Sequence, residues 1–113
     1  MKPLRHKFGA KPTQRDSIRF PSKLEANSYQ ALKQLQQGGH IRAFLRQIPF
    51  DIPGGKHVVD FMVFTSDEVL FIESKGKDLA EGKRKRLAVQ EIYDFPIHVI
   101  HDPKEIYQLL SIT

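Results

Sequence analysis

Asp60, Glu73 and Lys75 are charged side chains set inside the two most apolar runs of the chain, VVDFMVF (58–64) and VLFIESK (69–75). The polar stretch between them, TSDE, reads as a turn, and the two runs read as a β-hairpin. With the turn centred on Ser66-Asp67, residue 65 faces 68, 64 faces 69 and 62 faces 71. The same register sets Asp60 directly opposite Glu73. Opposed side chains share a face of a sheet, and Lys75, two residues beyond Glu73, shares it too. Two carboxylates in that position repel unless positive charge joins them. A buried salt bridge to Lys75 meets the need, although such bridges seldom improve on apolar packing. Solvated strand ends would remove it. A divalent cation also meets it. Mg²⁺ takes one or two carboxylates plus water and phosphate oxygens. Lys75 would then orient or help deprotonate an attacking water, which is the equipment for phosphodiester hydrolysis.

The elements that must position these residues follow from local signals. Residues 1–20 read as a basic flexible arm and residues 21–113 as a single domain. FPSKLEANSYQALKQLQQGG (20–39) reads as a helix with Ser22 as N-cap, Leu24, Ser28, Ala31, Leu32 and Leu35 on one face, and Gly38-Gly39 at its end. Glu25, three residues after Ser22, completes a capping box. Residues 41–52 read as a strand interrupted near Pro49, followed by a turn at Pro53-Gly54-Gly55 and the hairpin. Within the hairpin, Val59, Phe61 and Val63 point one way and Met62 and Phe64 the other, so both faces are covered. A helix over 78–93, a strand over 96–101 and a last helix opened by Asp102-Pro103-x-Glu105 complete the chain. The order α-β-β-β-α-β-α predicts an α/β fold with a mixed central sheet flanked by helices.

Charge is unevenly placed. Six of the eighteen basic side chains and one of the thirteen acids lie in residues 1–20, so the whole excess of five positive charges lies there. Lys2, Arg5, Lys7, Lys11, Arg15 and Arg19 suit a polyanion such as DNA, or merely keep a tail soluble. A second cluster, Lys83, Arg84, Lys85 and Arg86, with Lys77 nearby, either lines a phosphate groove or forms a solvated helix face. There are no cysteines, which excludes disulfides and thiolate metal sites. No run is long and apolar enough to span a membrane, and the expected location is the cytoplasm. Glycine-rich phosphate loops and nucleophile elbows are missing, so neither a nucleotide cofactor nor Ser/His hydrolysis is expected. His98 and His101 on one strand would face opposite ways, which disfavours a zinc site.

Asp60 followed by Glu73-Ser74-Lys75, in this element order, resembles the PD-(D/E)XK nuclease superfamily. KFGAKPTQRDSIRFPSKLEANSYQALKQLQQGGHI (7–41) is similar to the start of a small phage-associated branch of such endonucleases. The resemblance spans roughly residues 7–101. It implies a restriction-endonuclease-like αβββαβ core with a C-terminal helix. It makes Asp60 and Glu73 metal ligands, the Ser74 carbonyl a third ligand and Lys75 the catalytic lysine. Glu25 becomes the helix carboxylate near the metal, in competition with its capping role, and Gln47 a polar neighbour of the site. Val59 stands where many members have Pro. The implied activity is an Mg²⁺- (or Mn²⁺-) dependent endodeoxyribonuclease, selective for branched DNA in the manner of a Holliday junction resolvase and acting as a homodimer. The alternatives are a non-catalytic nucleic-acid-binding protein on the same fold and a transposase-like nuclease that cleaves DNA ends. A third is a small structural protein whose tail binds RNA or membrane.

Overall fold

The computed structural model describes residues 12–111. Its first element is a short hairpin, β1 (Thr13–Arg15) and β2 (Ile18–Phe20), paired antiparallel. Asp16 and Ser17 turn it, both with positive φ, as a type I′ two-residue hairpin loop requires. This corrects the reading of residues 13–20 as part of a flexible arm; residues 1–11 lie outside the described residues. Phe20 is fully buried, Asp16 accepts hydrogen bonds from Tyr29 Oη (2.8 Å) and Lys33 Nζ (2.9 Å), and Arg15 donates to Asn27. The strand-length alternation of TQRDSIRF was too short to register as a pattern. Lys2, Arg5, Lys7 and Lys11 lie outside the described residues.

Helix α1 (Lys23–Gln37) starts at Ser22, whose Oγ accepts from Glu25 N at 3.1 Å, and closes at Gly38. Its buried face runs through Glu25, Ser28, Tyr29, Leu32 and Leu35. A four-stranded sheet follows, in the order β3 (Ala43–Ile52), β4 (Gly55–Phe64), β5 (Val69–Ser74), β6 (Ile97–Ile100). The first three strands are antiparallel and β6 runs parallel to β5. The parallel step is bridged by α2 (Ala80–Tyr93), as such a crossover demands. β3 stays paired at Pro49, which an edge strand tolerates, and its interruption lies two residues earlier, at Gln47. Helix α3 (Lys104–Leu109) opens as expected: Asp102 Oδ1 accepts from Lys104 N at 2.8 Å, and Glu105 Oε2 reaches back to Asp102 N at 2.8 Å. Among the described residues no helix is long and apolar enough to cross a membrane.

The sheet is covered on both faces. Phe20, Leu32, Leu35, Phe61, Val63, Ile72, Ile100 and Ile106 pack together on the side of α1 and α3. Val59, Val89, Ile97, Phe50, Phe71 and Phe95 pack on the side of α2. Val59 was expected on the same side as Phe61 and Val63, and it is not. The cause is Gln47, a strand residue with φ of 57°, across from Asp60 at the one gap in the β3–β4 ladder. A left-handed residue breaks the two-residue alternation. It turns both strands over at this point, so residues on either side of Asp60 serve different cores.

Candidate active site

The β4–β5 register is the expected one. Phe61 pairs with Ile72, Met62 with Phe71 and Phe64 with Val69, and the ladder ends one step short of Asp60 and Glu73. The turned-over strand then sends the two carboxylates different ways. Asp60 leans toward α1. Its Oδ2 accepts from the Ser74 backbone N–H at 2.8 Å, and it lies against Glu25. Glu25 keeps only half of its capping box. Its N–H is held by Ser22, but its carboxylate turns into the fold, accepting from Gln47 Nε2 at 3.2 Å and facing Arg46 Nη2 at 3.5 Å. Only 4% of Glu25 is exposed. That burial, with the charge of Asp60 beside it, pushes the Glu25 carboxyl up to about 8, and the Arg46 guanidinium offsets only part of this. Burial also raises Asp60, opposed by the Ser74 N–H and the Lys75 ammonium and reinforced by the charge of Glu73. Burial thus pushes both carboxyls of this dyad upward.

Ser74 is itself tied down. Its Oγ donates to Ser28 Oγ at 3.0 Å, and Ser28 Oγ donates to the Leu24 carbonyl at 2.8 Å. A buried polar chain therefore links α1 to the N–H that holds Asp60.

Glu73 belongs to a second group on the α2 side. Its Oε1 is hydrogen-bonded to His57 Nε2 and its Oε2 faces Arg86 Nη1 at 3.4 Å. Arg86 also grips Asp78 with two bonds, at 3.1 and 2.6 Å, and holds that carboxyl below its usual range. This corrects the assignment of Arg86 to DNA: it is 8% exposed and bonded to two acids. Lys83, Arg84 and Lys85 do lie toward solvent, with Arg84 and Lys85 near Glu81. Lys75 sits between the groups. Its charge acts on both Asp60 and Asp78. Its carbonyl accepts from His101 Nδ1 at 2.6 Å, which fixes the proton on that nitrogen. Among the described residues no ion pair engages its ammonium.

Residues 5–104 match the protein family described as "Protein of unknown function (DUF1064)". The chain belongs to the DUF1064 family. No curated protein and no solved structure matches it. The DUF1064 match contains every residue of the two groups around Asp60 and Glu73.

In this DUF1064 chain the expected site residues are thus divided. Glu25, Gln47, Asp60 and the Ser74 backbone come together, Lys75 lies within electrostatic reach, and Glu73 is engaged elsewhere. Among the described residues no three His, Asp or Glu side chains stand in a metal-holding arrangement. The donor chemistry of the dyad nevertheless fits a hard cation: two buried carboxylates, all-oxygen, held near each other at a cost that positive charge would relieve. Sequence reasoning missed Arg46, His57, Ser28 and Asp78. A serine on the apolar face of α1 was the one available hint for Ser28. Nothing local marks the other three, whose partners lie on different elements.

Proposed function

We propose that this chain is a metal-dependent endodeoxyribonuclease of the PD-(D/E)XK type. The observation that carries the reading is the convergence of Asp60, midway along β4, with Glu25 from α1, within reach of the charges of Glu73 near the end of β5 and Lys75 just beyond it. The order α1-β3-β4-β5-α2-β6, antiparallel and then parallel, supports a restriction-endonuclease-like core. Asp60 and Glu25, with the Ser74 carbonyl, would hold Mg²⁺ or Mn²⁺, and Glu73 would join them on leaving His57. The ion would supply Lewis-acid stabilisation of the phosphate and acidify the attacking water. Lys75 Nζ orients that water toward phosphorus and steadies the charge gathering on the phosphate oxygens. Gln47 Nε2 and Ser74 N–H fix the two carboxylates so that neither must reorganise. A small domain without a reading module selects DNA by shape, which favours branched substrates cut by a homodimer.

A second reading, a DNA-binding protein without cleavage, draws support from the engagement of both Glu73 oxygens by His57 and Arg86. Cleavage of a labelled four-way junction, a Y-fork, a plain duplex and a single strand with Mg²⁺ or Mn²⁺ separates the two. The expected result is paired cuts in the junction, lost in Glu73→Gln with binding retained. Cleavage undiminished in Glu73→Gln refutes the site, and salt-sensitive binding without any cleavage favours the second reading.

A further inference from the structure

We propose that Arg46 is a phosphate-binding residue of this site, taking a non-bridging oxygen of the DNA backbone. The inference deepens the nuclease reading and rests on it for the identity of the ligand. Arg46 stands on β3 beside Gln47, across from Phe61 and so next to Asp60 in the sheet. Its guanidinium lies 4.4 Å above the ring of Phe20 and 5.9 Å from that of Tyr29. Phe20 belongs to the β1–β2 hairpin and Tyr29 to α1, so two elements build the shelf; Lys33 shares the Tyr29 ring at 5.9 Å, while Arg46 lies over Phe20. Stacking on aromatic faces fixes a guanidinium plane without consuming its N–H donors.

Those donors are conspicuously unused. A guanidinium has five N–H groups in a planar fork suited to two oxygens at once. Among the described residues only Nη2 has a partner, Glu25 Oε2 at 3.5 Å, well beyond the distance of a charge-assisted fork. Nε is buried with no hydrogen-bond partner at all. If Arg46 served only as counter-ion to Glu25, a two-bond grip like that of Arg86 on Asp78 would be expected. Its side chain is 23% exposed, against 5% for Glu25, and because Nε is shut off from solvent the reachable donors are those of the terminal nitrogens on the outer strand. The charge pattern also needs it. A phosphodiester approaching two carboxylates is repelled, and fixed cations must flank the path. Lys75 does so from the Asp60 side and Arg46 from the Glu25 side.

The test is the arginine Nε–Hε region of a ¹H–¹⁵N spectrum in EDTA, with the Arg46 peak identified by its loss in Arg46→Lys. Addition of a short DNA duplex, and separately of inorganic phosphate, is expected to move that peak, while chloride at equal ionic strength leaves it in place. In cleavage assays, Arg46→Gln is expected to lower kcat on the order of 100-fold with little change in KM. Arg46→Lys, which keeps the charge without the fork, restores only part of that loss. Thermal melts of both variants report whether the shelf still folds. A peak that stays fixed while the duplex saturates, or Arg46→Lys kinetics equal to wild type, overturns the assignment. If the wild type cleaves nothing yet the peak moves, the nuclease reading fails and the phosphate site stands.

Discussion

Replacing Glu25 with Gln probes the dyad without reference to any ligand. Glu25 titrates near 4.5 in the unfolded chain and at about 8 in the fold. Below 4.5 both states carry the proton and pH has no leverage through this group. Between 4.5 and about 8 the folded state keeps a proton that the unfolded state has lost. Stability therefore falls as pH rises through this window, and the cost is complete above it. Each unit of displacement corresponds to about 1.4 kcal/mol, which sets a ceiling of about 5 kcal/mol for the whole interval. Arg46 and Gln47 both favour the ionised form and water can follow the charge inward, so a measured loss of about 2–3 kcal/mol is expected. Asp60, raised for the same reason, adds to the same slope. Asp16 and Asp78 are shifted downward, and their contributions disappear only as pH falls below 3.8, outside the window. Urea titrations in EDTA across the window measure the slope directly. Glu25→Gln keeps the shape and can donate to Asp60, so the variant should show a flattened profile and exceed the wild type in stability at the alkaline end. A wild-type profile that is flat, or a variant with the same slope, would refute the raised Glu25 carboxyl.

Two other outcomes follow from the packing. Arg86→Ala strands Asp78 and Glu73 as uncompensated charges and should cost about 3–5 kcal/mol by urea denaturation, whereas Lys83→Ala, on the exposed side of α2, should stay within about 0.5 kcal/mol. Asp94 ends α2 with φ of 57°, so Asp94→Gly should raise the melting temperature, worth a few tenths to about 1 kcal/mol, because glycine adopts that conformation without a Cβ penalty.

The order of elements from α1 onward, the Ser22 cap, the Asp102-Pro103 helix start and the β4–β5 register were readable from the sequence, because each rests on neighbours in the chain. The turn at Ser66-Asp67 fixes its own register, and Thr65 N–H to the Glu68 carbonyl at 2.9 Å closes it. What sequence could not supply was the side of the sheet each carboxylate serves. That depends on one backbone angle at Gln47, a residue type with no strong preference for the left-handed region. Its effect crosses a ladder to Asp60, thirteen positions away. A strict alternation puts Asp60 and Glu73 on one face. The turned strand instead gives Asp60 to Glu25 and leaves Glu73 to His57 and Arg86.

The division also shows which layer holds each carboxylate. Asp60 and Glu73 remain close enough for Glu73's charge to raise the Asp60 carboxyl, so they are adjacent across the sheet even while bonded to opposite layers. Glu73 is therefore held by a cation of α2, and α2 is also the helix that carries Lys83, Arg84 and Lys85 on its outside. The buried Arg86 and the exposed basic residues are consecutive in sequence, yet one organises a carboxylate while the others meet solvent. A basic run read as a uniform surface hides that distinction, and burial alone reveals it. The same holds at the other layer: Arg46, one residue from the strand kink, is placed by aromatic rings from β2 and α1 that no spacing rule connects to it. Charges that touch the dyad come from tertiary packing on both faces, and this is the level at which the site of this fold is assembled.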